Sequence, residues 1–314
     1  MTHGAGAAAA KPQIQSLQVF RGLAALAVVA VHASAYTNTF VADVPAWAML
    51  VFGFGYLGVD FFFVLSGFII MYAHYGDAGT APAVKRYAFK RLVRIFPAYW
   101  PISLAIIALY ATLPGFSNAP DRNYSLISSL LLFPADDPPA LYVAWTLIHE
   151  LMFYAVFLLF FISRRWLTAG LLTWAALILI GQQVSSPRGW LKYPLSVLNI
   201  EFMWGVLAAW AVKSWTARRR TADGWCWVVV AGALVACFGL ALIPIPEDPG
   251  FYPRILFAFG LALIIVGFSV YEQSTKLHWP GLLLLMGNAS YSIYLVHGPL
   301  LSVTQRLAGR LGLA

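Results

Sequence analysis

Charged side chains are scarce in this chain, since Asp, Glu, Lys and Arg make up only 10% of its 314 residues and 61% are hydrophobic. The mean hydropathy is +0.76. Soluble domains carry about a quarter charged residues, so the composition excludes a water-soluble protein. Long polar stretches are also lacking, because those around 114–140 and 213–224 are too short to fold as separate soluble domains. We therefore expect residues 1–314 to form a single membrane domain.

Cysteine is nearly absent, and the two that occur, Cys226 and Cys237, lie in the same hydrophobic segment. This placement argues against a structural disulfide and a metal site, and we expect neither a metal nor a bound cofactor. A cleavable signal peptide is also lacking, because residues 1–16 contain no basic region followed by a short apolar core and cleavage site. We expect these residues to be a flexible cytoplasmic N-terminus and the first apolar segment to be retained.

Long apolar runs account for most of the chain. Most of them are long enough to cross a bilayer as a helix, which takes about 20 residues. Each must be helical because lipid offers no hydrogen-bond partner for the backbone. The sequence therefore predicts an all-α, polytopic transmembrane bundle of nine to ten spans. The nine runs lie near residues 17–36, 47–74, 98–113, 141–162, 167–183, 194–212, 225–243, 254–271 and 281–303.

Basic residues exceed acidic ones by 20 to 12, but they alternate with the apolar runs and form no single polar face. A nucleic acid is therefore not an expected partner. The positive-inside rule favours a cytoplasmic N-terminus in the inner (plasma) membrane, although Arg306 and Arg310 do not fit. The inner segments then contain Lys11, Arg21, Lys85, Arg86, Lys90, Arg91, Arg94, Arg164, Arg165, Lys213, Arg218, Arg219, Arg220 and Lys276. The outer loops contain Arg122, Arg188, Lys192 and Arg254.

The segment 82–97 has an amphipathic pattern, with basic residues at 85, 86, 90, 91 and 94 and apolar or aromatic residues between them. Such a segment is typical of the membrane interface. The pattern fits a membrane-surface anchor and a binding site for an anionic ligand equally well.

Six ionisable residues lie within the predicted spans, where a charge costs at least about 2.5 to 3.5 kcal/mol. From the helical rise we expect several of them to converge in the outer half of the bilayer. The alternative for any one of them is a pairing that only orients helices, which we favour for His149 because it faces away from Glu150. The six are His32, Asp60, His149, Glu150, Glu201 and His297.

Arg21 and His32 are the most informative pair, because both lie in the first predicted span. Eleven helical steps leave them only about 20° apart around the axis and about 16 Å apart along it. The pantetheine arm of coenzyme A has a similar length. A phosphate near Arg21 could therefore place a thioester near His32, although an arginine at a helix start also obeys the positive-inside rule.

Five sequence blocks occur in order along the chain: FRGLAALAVVAVH at 20–32, GVDFFFVLSGFII at 58–70, KRLVRIFPAYW at 90–100, WTLIHELMFY at 145–154 and GNASYSIYLVHGP at 287–299. Together they resemble the acyltransferase-3 family, and most closely its short exopolysaccharide-acetylating members. The resemblance implies transfer of an acyl group, usually acetyl from acetyl-CoA, to a hydroxyl of a polysaccharide or lipid-linked glycan. The sequence is expected to depart from the family in two ways. Members usually have ten spans, whereas nine runs are predicted here, and some members carry an extracytoplasmic domain that we do not expect in this chain. A second transfer step would then need a partner, such as a polysaccharide assembly protein.

The resemblance also implies a set of functional residues. We expect donor binding by Arg21, Arg91 and Arg94, the last two in a motif that also includes Pro97. We expect catalytic roles for His32, Glu150 and Asp60. Substrate or supporting contacts are expected from Ser66, Trp145, Tyr291, Tyr294 and His297, with Gly67 and Ser290 in the same blocks.

A sugar hydroxyl is a poor nucleophile, so transfer needs a base near its proton. His32 suits that role, since a neutral imidazole is tolerated in a buried site, and Glu150 or Asp60 could orient it. Ser66 or His32 could instead carry the acyl group, although a serine beside a glycine is more often a packing contact.

Two other functions remain open from the sequence: a transporter or flippase with a proton relay, and a non-catalytic scaffold for polysaccharide assembly. The chain shows no internal repeat of the kind found in many transporters. A scaffold function would not explain why Arg21 and His32 share one face of the first span. Purified protein incubated with radiolabelled acetyl-CoA and lipid-linked glycans would separate these functions from an acyltransferase.

The uneven distribution of basic residues makes the topology testable by cysteine labelling. Cysteines introduced at positions 87 and 217 of a variant without the two native cysteines should be cytosolic. Those at 120 and 247 should be periplasmic and should react with an impermeant thiol reagent in cells with a permeabilised outer membrane. Labelling of position 87 in such intact cells would overturn the predicted orientation.

Overall fold

A computed structural model describes residues 14–77, 79–113, 123–184, 187–217, 224–242, 250–275 and 277–312. These residues form helices, 3-10 turns and loops, and contain no strand, which confirms the all-α prediction for the described ranges. Most of the predicted N-terminal tail lies outside them, as do Lys11, Arg122, Arg218, Arg219, Arg220, Lys276 and labelling positions 120 and 247.

Twelve helices are described, joined by loops and by 3-10 turns at Phe54–Leu57, Tyr142–Ala144 and Gly189–Lys192. They are α1 (Gln15–Phe40), α2 (Ala46–Gly53), α3 (Gly58–His74), α4 (Ala81–Thr112), α5 (Leu126–Leu131), α6 (Trp145–Phe157), α7 (Leu159–Ile162), α8 (Arg164–Val184), α9 (Leu198–Ala217), α10 (Trp225–Ala241), α11 (Phe251–Ser274) and α12 (Gly281–Arg310).

Six of the nine predicted spans correspond to helical segments that are long and apolar enough to cross a membrane. The other three predicted runs are also helical, as α9, α10 and α12, but are not among these six. The chain is thus a helical membrane protein, and nine to ten spans with a cytoplasmic N-terminus remain a prediction. The six segments are Gln15–Phe40, Ala46–His74, Ala81–Thr112, Tyr142–Ile162, Arg164–Gln183 and Phe251–Ser274.

The pattern of segment 82–97 suggested an interfacial segment, but the structure does not contain it as a separate helix. It is the first half of α4, which continues without a break through Pro97 and Pro101 to Thr112. A proline inside a helix removes one backbone hydrogen bond, but a membrane helix tolerates this where neighbouring helices and local adjustments satisfy the freed carbonyl groups. One continuous helix therefore carries the basic cluster into the bundle.

The contacts between helices show their relative directions. Gly22, near the start of α1, lies against Gly287, near the start of α12. Gly309, near the end of α12, lies against Phe40, at the end of α1. These two helices therefore run in the same direction. Helix α11 runs against α1, because Ser16 at the start of α1 bonds to Glu272 near the end of α11. A parallel first and last span agrees with an odd number of crossings.

A carboxylate from a distant helix holds the N-terminus of α1. The Glu272 side chain accepts hydrogen bonds from the backbone amides of Gln15 and of Ser16, the latter at 2.8 Å. It also accepts one from the Ser16 hydroxyl at 2.5 Å, and Trp279 donates to that hydroxyl at 3.2 Å. Because the first amides of a helix have no partner within it, this contact satisfies them and fixes the height of α1 in the bundle.

Helices α3 and α9 approach each other at two glycines. The space that a Cβ atom would occupy at Gly67 is filled by the Phe202 carbonyl group, and that at Gly205 by the Val64 carbonyl group. Close backbone contact of this kind is the usual way in which membrane helices associate, since no hydrophobic effect operates between them in lipid.

This contact predicts that Gly205→Ala destabilises the fold. The added methyl group would overlap the Val64 carbonyl, and overpacking typically lowers the free energy of unfolding by about 1–3 kcal/mol. The matched control is Gly53→Ala, because no described atom lies within 4 Å of that Cβ position. Thermal unfolding in detergent should show a lower midpoint for Gly205→Ala only, and equal midpoints for both variants would contradict the packing described.

Candidate functional site

A cavity of about 70 Å³ lies beside the N-terminal half of α1, and we call it the arginine cavity. It brings together residues from five helices that are far apart in sequence. Its polar lining consists of Arg21, Ser66, Arg94, Thr146, Glu150, Ser290, Tyr291 and Tyr294. The structure thus places seven predicted functional residues, among them Ser66, Tyr291 and Tyr294, in or around one cavity.

Two guanidinium groups and one carboxylate dominate the electrostatics of the arginine cavity. Arg21 interacts electrostatically with both Arg94 and Glu150. The Tyr154 hydroxyl donates to Glu150, and the Ser66 hydroxyl lies 3.4 Å from the same carboxylate oxygen. With two positive charges against one negative charge, the cavity suits an anionic ligand.

Helix α12 fixes the position of Arg94 on α4. The Tyr291 hydroxyl donates to the carbonyl of Ile95 at 3.0 Å, directly beside Arg94 in sequence. Arg94 lines the cavity and is also exposed, so a ligand can reach it from outside. Ser290 has a different role, because its hydroxyl is bonded to the Gly287 carbonyl at 2.7 Å.

Arg91, which was predicted to act with Arg94, lies outside the lining of the arginine cavity. Its guanidinium carbon is 5.6 Å from the ring centroids of both Tyr87 and Tyr154. Its Nη2 donates to His74 Nε2 at 3.2 Å, and its Nε has no hydrogen-bond partner among the described residues. Arg91 therefore reaches the cavity only through Tyr154, the residue that donates to Glu150.

A second cavity of about 340 Å³ lies beside the C-terminal half of α1, and we call it the histidine cavity. It is lined by His32 and Tyr36 from α1, together with side chains from α4, the 140–143 segment and α12. Arg21 and His32 do share one face of α1, as predicted, but each lines a different cavity.

The His32 and His297 rings meet edge to face, with their centroids 4.9 Å apart. His32 Nδ1 lies 2.8 Å from the Val28 carbonyl oxygen, and His297 Nδ1 lies 2.7 Å from that of Tyr294. Because a carbonyl can only accept a hydrogen bond, each neutral imidazole carries its proton on Nδ1 and a lone pair on Nε2. This tautomer makes the Nε2 atom of His32 available as a base.

Tyr294 and His297 link the two cavities. Tyr294 lines the arginine cavity, and its ring centroid lies 5.6 Å from that of His297. Its hydroxyl is 3.0 Å from the Thr146 hydroxyl. His297 in turn contacts His32, which lines the histidine cavity. Tyr294 and His297, both from the last sequence block, therefore form a single layer of side chains between the two cavities and contact the residues on each side.

Asp60 belongs to neither cavity. It is fully buried and forms a two-pronged ion pair with Arg254, from Nε at 2.6 Å and from Nη2 at 3.2 Å. The Glu201 carboxylate, also fully buried, lies 3.7 Å from the same Nε. Asp60 thus does not orient His32. Arg254, assigned to an outer loop from the sequence, lies in the first turn of α11.

The predicted convergence of ionisable residues is wrong in this respect, because they form separate groups. Glu150 lies with Arg21, His32 with His297, and Asp60 with Glu201 and Arg254. His149 is the exception that was anticipated: it is buried and its Nδ1 lies 3.0 Å from the Asn199 side-chain oxygen. Trp145 packs on the rings of Phe63 and His149 and lines neither cavity.

Two residues with a defined place in the structure were missed from the sequence: Arg254, in a structural ion pair, and His74, beside Arg91. Arg254 stands at the edge of an apolar run, where an arginine is ordinarily an interfacial residue, and nothing in the sequence identifies Asp60 as its partner. His74 contacts Arg91 across seventeen residues. The sequence signals that could have identified His74 are its position at the end of a predicted span and the basic cluster of segment 82–97 that follows it.

Comparison with known proteins identifies the family. The acyltransferase-3 family model, described as an acyltransferase domain, matches residues 14–314. The chain is 32% identical over 278 residues to "Exopolysaccharide production protein ExoZ" of Rhizobium meliloti (strain 1021), an alignment that covers 83% of this chain and 81% of that protein. No solved structure matches this chain. The resemblance drawn from the five sequence blocks is thus confirmed.

The buried ion pair predicts that Arg254→Gln strongly destabilises the protein. The substitution leaves the Asp60 and Glu201 carboxylates buried without their cation, and removing one partner of such a pair costs about 3–5 kcal/mol. The double variant Asp60→Asn/Arg254→Gln should recover part of the loss, and Arg188→Gln, at an exposed arginine, should have little effect. Thermal unfolding measures all three, and wild-type stability of Arg254→Gln would refute a structural role for the pair.

Proposed function

Because this chain belongs to the acyltransferase-3 family, we propose that it is an O-acetyltransferase of the inner membrane that moves acetyl from acetyl-CoA to a sugar hydroxyl. The acceptor is an exopolysaccharide or its lipid-linked precursor, as the name of its Rhizobium relative suggests. The observation that carries the proposal is the position of Arg21 and His32, which lie on one face of α1 but line neighbouring cavities. One cavity suits an anion and the other contains a base.

The arginine cavity is the proposed donor site. Coenzyme A carries phosphates, and guanidinium groups match phosphate oxygens with paired, charge-assisted hydrogen bonds. Arg94 is exposed, so it can meet the phosphates first, whereas Arg21 lies deeper among the lining residues. An extended pantetheine arm is long enough for the separation of about 16 Å between Arg21 and His32 along α1. In this proposal the arm passes the layer of Tyr294 and His297 that lies between the two cavities. In the predicted topology the arginine cavity lies in the cytoplasmic half of the membrane, on the side from which cytosolic acetyl-CoA can enter.

The histidine cavity is the proposed acceptor site. Its lining combines His32 with the tyrosines Tyr36, Tyr110 and Tyr142 and with Ser302. Aromatic rings with a polar edge suit a sugar, which has apolar faces and hydroxyl groups around its rim. In the predicted topology the cavity lies in the outer half of the membrane, from which a growing or lipid-linked glycan can enter.

His32 performs the proton transfer in this proposal. Its Nε2 lone pair takes the proton from the sugar hydroxyl while the hydroxyl oxygen attacks the thioester carbon. The carbon–sulfur bond then breaks, and the coenzyme A thiolate takes the proton back from the imidazolium ring. The Val28 carbonyl accepts the hydrogen bond from Nδ1–H both in the neutral ring and in the imidazolium ion, so neither Glu150 nor Asp60 is needed as an orienting group. Ser66, which lines the donor cavity, remains the alternative acyl carrier.

A transporter with a proton relay is less well supported. Such a relay needs ionisable groups in a continuous series, whereas the carboxylates and histidines of the described residues lie in separate groups. Asp60 and Glu201, in particular, are fully buried and share one guanidinium group, that of Arg254.

Two substitutions should separate the catalytic and donor-binding roles. His32→Ala should retain acetyl-CoA binding but lose transfer activity by about 10² to 10⁴-fold, the usual contribution of a general base. Arg94→Gln should instead weaken acetyl-CoA binding, with partial recovery in Arg94→Lys because a lysine keeps the charge without the planar fork. Binding and transfer are measured with radiolabelled acetyl-CoA and purified protein.

The matched control is His278→Ala, which removes an exposed histidine from the loop before α12 and should leave both quantities unchanged. Near-normal acetylation by well-inserted His32→Ala would refute the assignment of the base. Unchanged donor affinity in Arg94→Gln would return the basic cluster to its alternative role as a membrane-surface anchor.

A further inference from the structure

A chain of directed hydrogen bonds ends at Arg91, just behind the arginine cavity. Arg91 Nη2 donates to His74 Nε2 at 3.2 Å, and His74 Nδ1 lies 2.8 Å from an oxygen of the Asp77 carboxylate. A guanidinium group can only donate, so His74 Nε2 must carry the lone pair and Nδ1 the proton. The Asp77 carboxylate accepts that proton's hydrogen bond and thereby stabilises the tautomer that binds Arg91.

The same guanidinium group is held on its faces by aromatic rings. Its central carbon lies 5.6 Å from the centroids of Tyr87 and Tyr154, and the Tyr87 hydroxyl donates to the Tyr154 carbonyl at 3.1 Å. The Tyr154 hydroxyl donates to Glu150 in the wall of the arginine cavity. The position of Arg91 is therefore transmitted to Glu150 through one side chain.

We propose that Asp77 and His74 are positioning residues for the acyl donor, which fix Arg91 and, through Tyr154, set the Glu150 side of the arginine cavity. This inference rests on the proposed donor function of that cavity. Arg91 lies outside the lining of the cavity, so its effect on the donor passes through the Tyr154 ring and the hydrogen bond from Tyr154 to Glu150. The residues act through Arg91 and do not touch the reacting atoms.

The arrangement has a consequence for pH. If His74 takes up a second proton, its Nε2 becomes a donor that faces the Arg91 donor, and the contact between them is lost. The charged groups around the His74 ring are Asp77, Arg91 and Lys90, and the remaining neighbours are the rings of Tyr87, Phe157 and Phe161. Donor affinity should therefore fall as the pH is lowered through the titration of this imidazole.

Asp77→Asn is the variant that tests the proposal. An asparagine lacks the negative charge that stabilises the proton on His74 Nδ1, and its amide can accept from or donate to that atom, so the preference for the tautomer that accepts from Arg91 is weakened. The KM for acetyl-CoA should rise about tenfold, the size expected for loss of one hydrogen bond to a charged group, with kcat changed less than about twofold. Asp77→Glu should restore most of the affinity. Asp43→Asn, at an exposed aspartate in the loop after α1, is the matched control and should behave as wild type.

Nitrogen NMR of protein labelled with ¹⁵N-histidine gives a readout that does not depend on activity. The His74 signals, identified by their loss in His74→Gln, should show Nδ1 protonated in the wild type and a shift of population toward Nε2 protonation in Asp77→Asn. A wild-type ring protonated on Nε2 would overturn the proposal, as would a tautomer change that leaves the KM for acetyl-CoA unaltered.

Two further outcomes keep the result unambiguous. If Asp77→Asn does not fold, the pH dependence of acetyl-CoA affinity in the wild type decides, and an affinity independent of pH from 5 to 8 would refute the proposal. If the wild type shows the expected tautomer but binds no acetyl-CoA, the donor assignment of the cavity is wrong and this inference falls with it. The hydrogen-bond chain itself would then stand, so the two failures are distinguishable.

Discussion

The backbone contact between α1 and α12 is the constraint on which both cavities depend. A Cβ atom at Gly287 would overlap the Gln18 carbonyl, and one at Gly309 would overlap that of Phe40. The two helices therefore touch near both ends while running in the same direction. Since Arg21 and His32 lie on one face of α1, this contact places Tyr291, Tyr294 and His297 of α12 beside them. Both cavities open along this single seam.

The second constraint is that lipid tolerates few unpaired charges. Asp60 and Arg254 satisfy this constraint by pairing with each other. Their ion pair joins α3 to α11 and contributes nothing to either cavity. Glu201, fully buried and 3.7 Å from the same guanidinium, shares that cation. In the arginine cavity two cations face one carboxylate, and Arg94 is exposed. The contrast is therefore between carboxylates that are fully buried and a cavity whose cation a ligand can reach.

The sequence was sufficient for features that depend on local geometry. The nine apolar runs correspond to helices because lipid enforces helical structure, and the shared face of Arg21 and His32 follows from 100° per residue. Rotation of one helix about its axis, relative to its neighbours, was not predictable. Asp60 and Glu150 were therefore expected near His32, whereas packing of α3 against α9 and α11 turns Asp60 toward Arg254. The third span was predicted to begin only near residue 98, because the basic residues of 82–97 indicated a segment at the membrane interface, whereas α4 is one helix from Ala81 to Thr112.

The orientation of the histidines explains why His32 needs no carboxylate beside it. In soluble enzymes an aspartate commonly fixes the tautomer of a catalytic histidine, but a buried carboxylate in a membrane span requires its own cation. A backbone carbonyl is neutral and already present one turn earlier in the helix. The Val28 carbonyl thus fixes His32, and the Tyr294 carbonyl fixes His297, without adding a charge. His74 is the exception, and its aspartate lies just beyond the end of α3. Among these described histidines, a carboxylate orients the ring of His74 at a helix end, and neutral oxygens orient the rings of His32, His149 and His297 within helices.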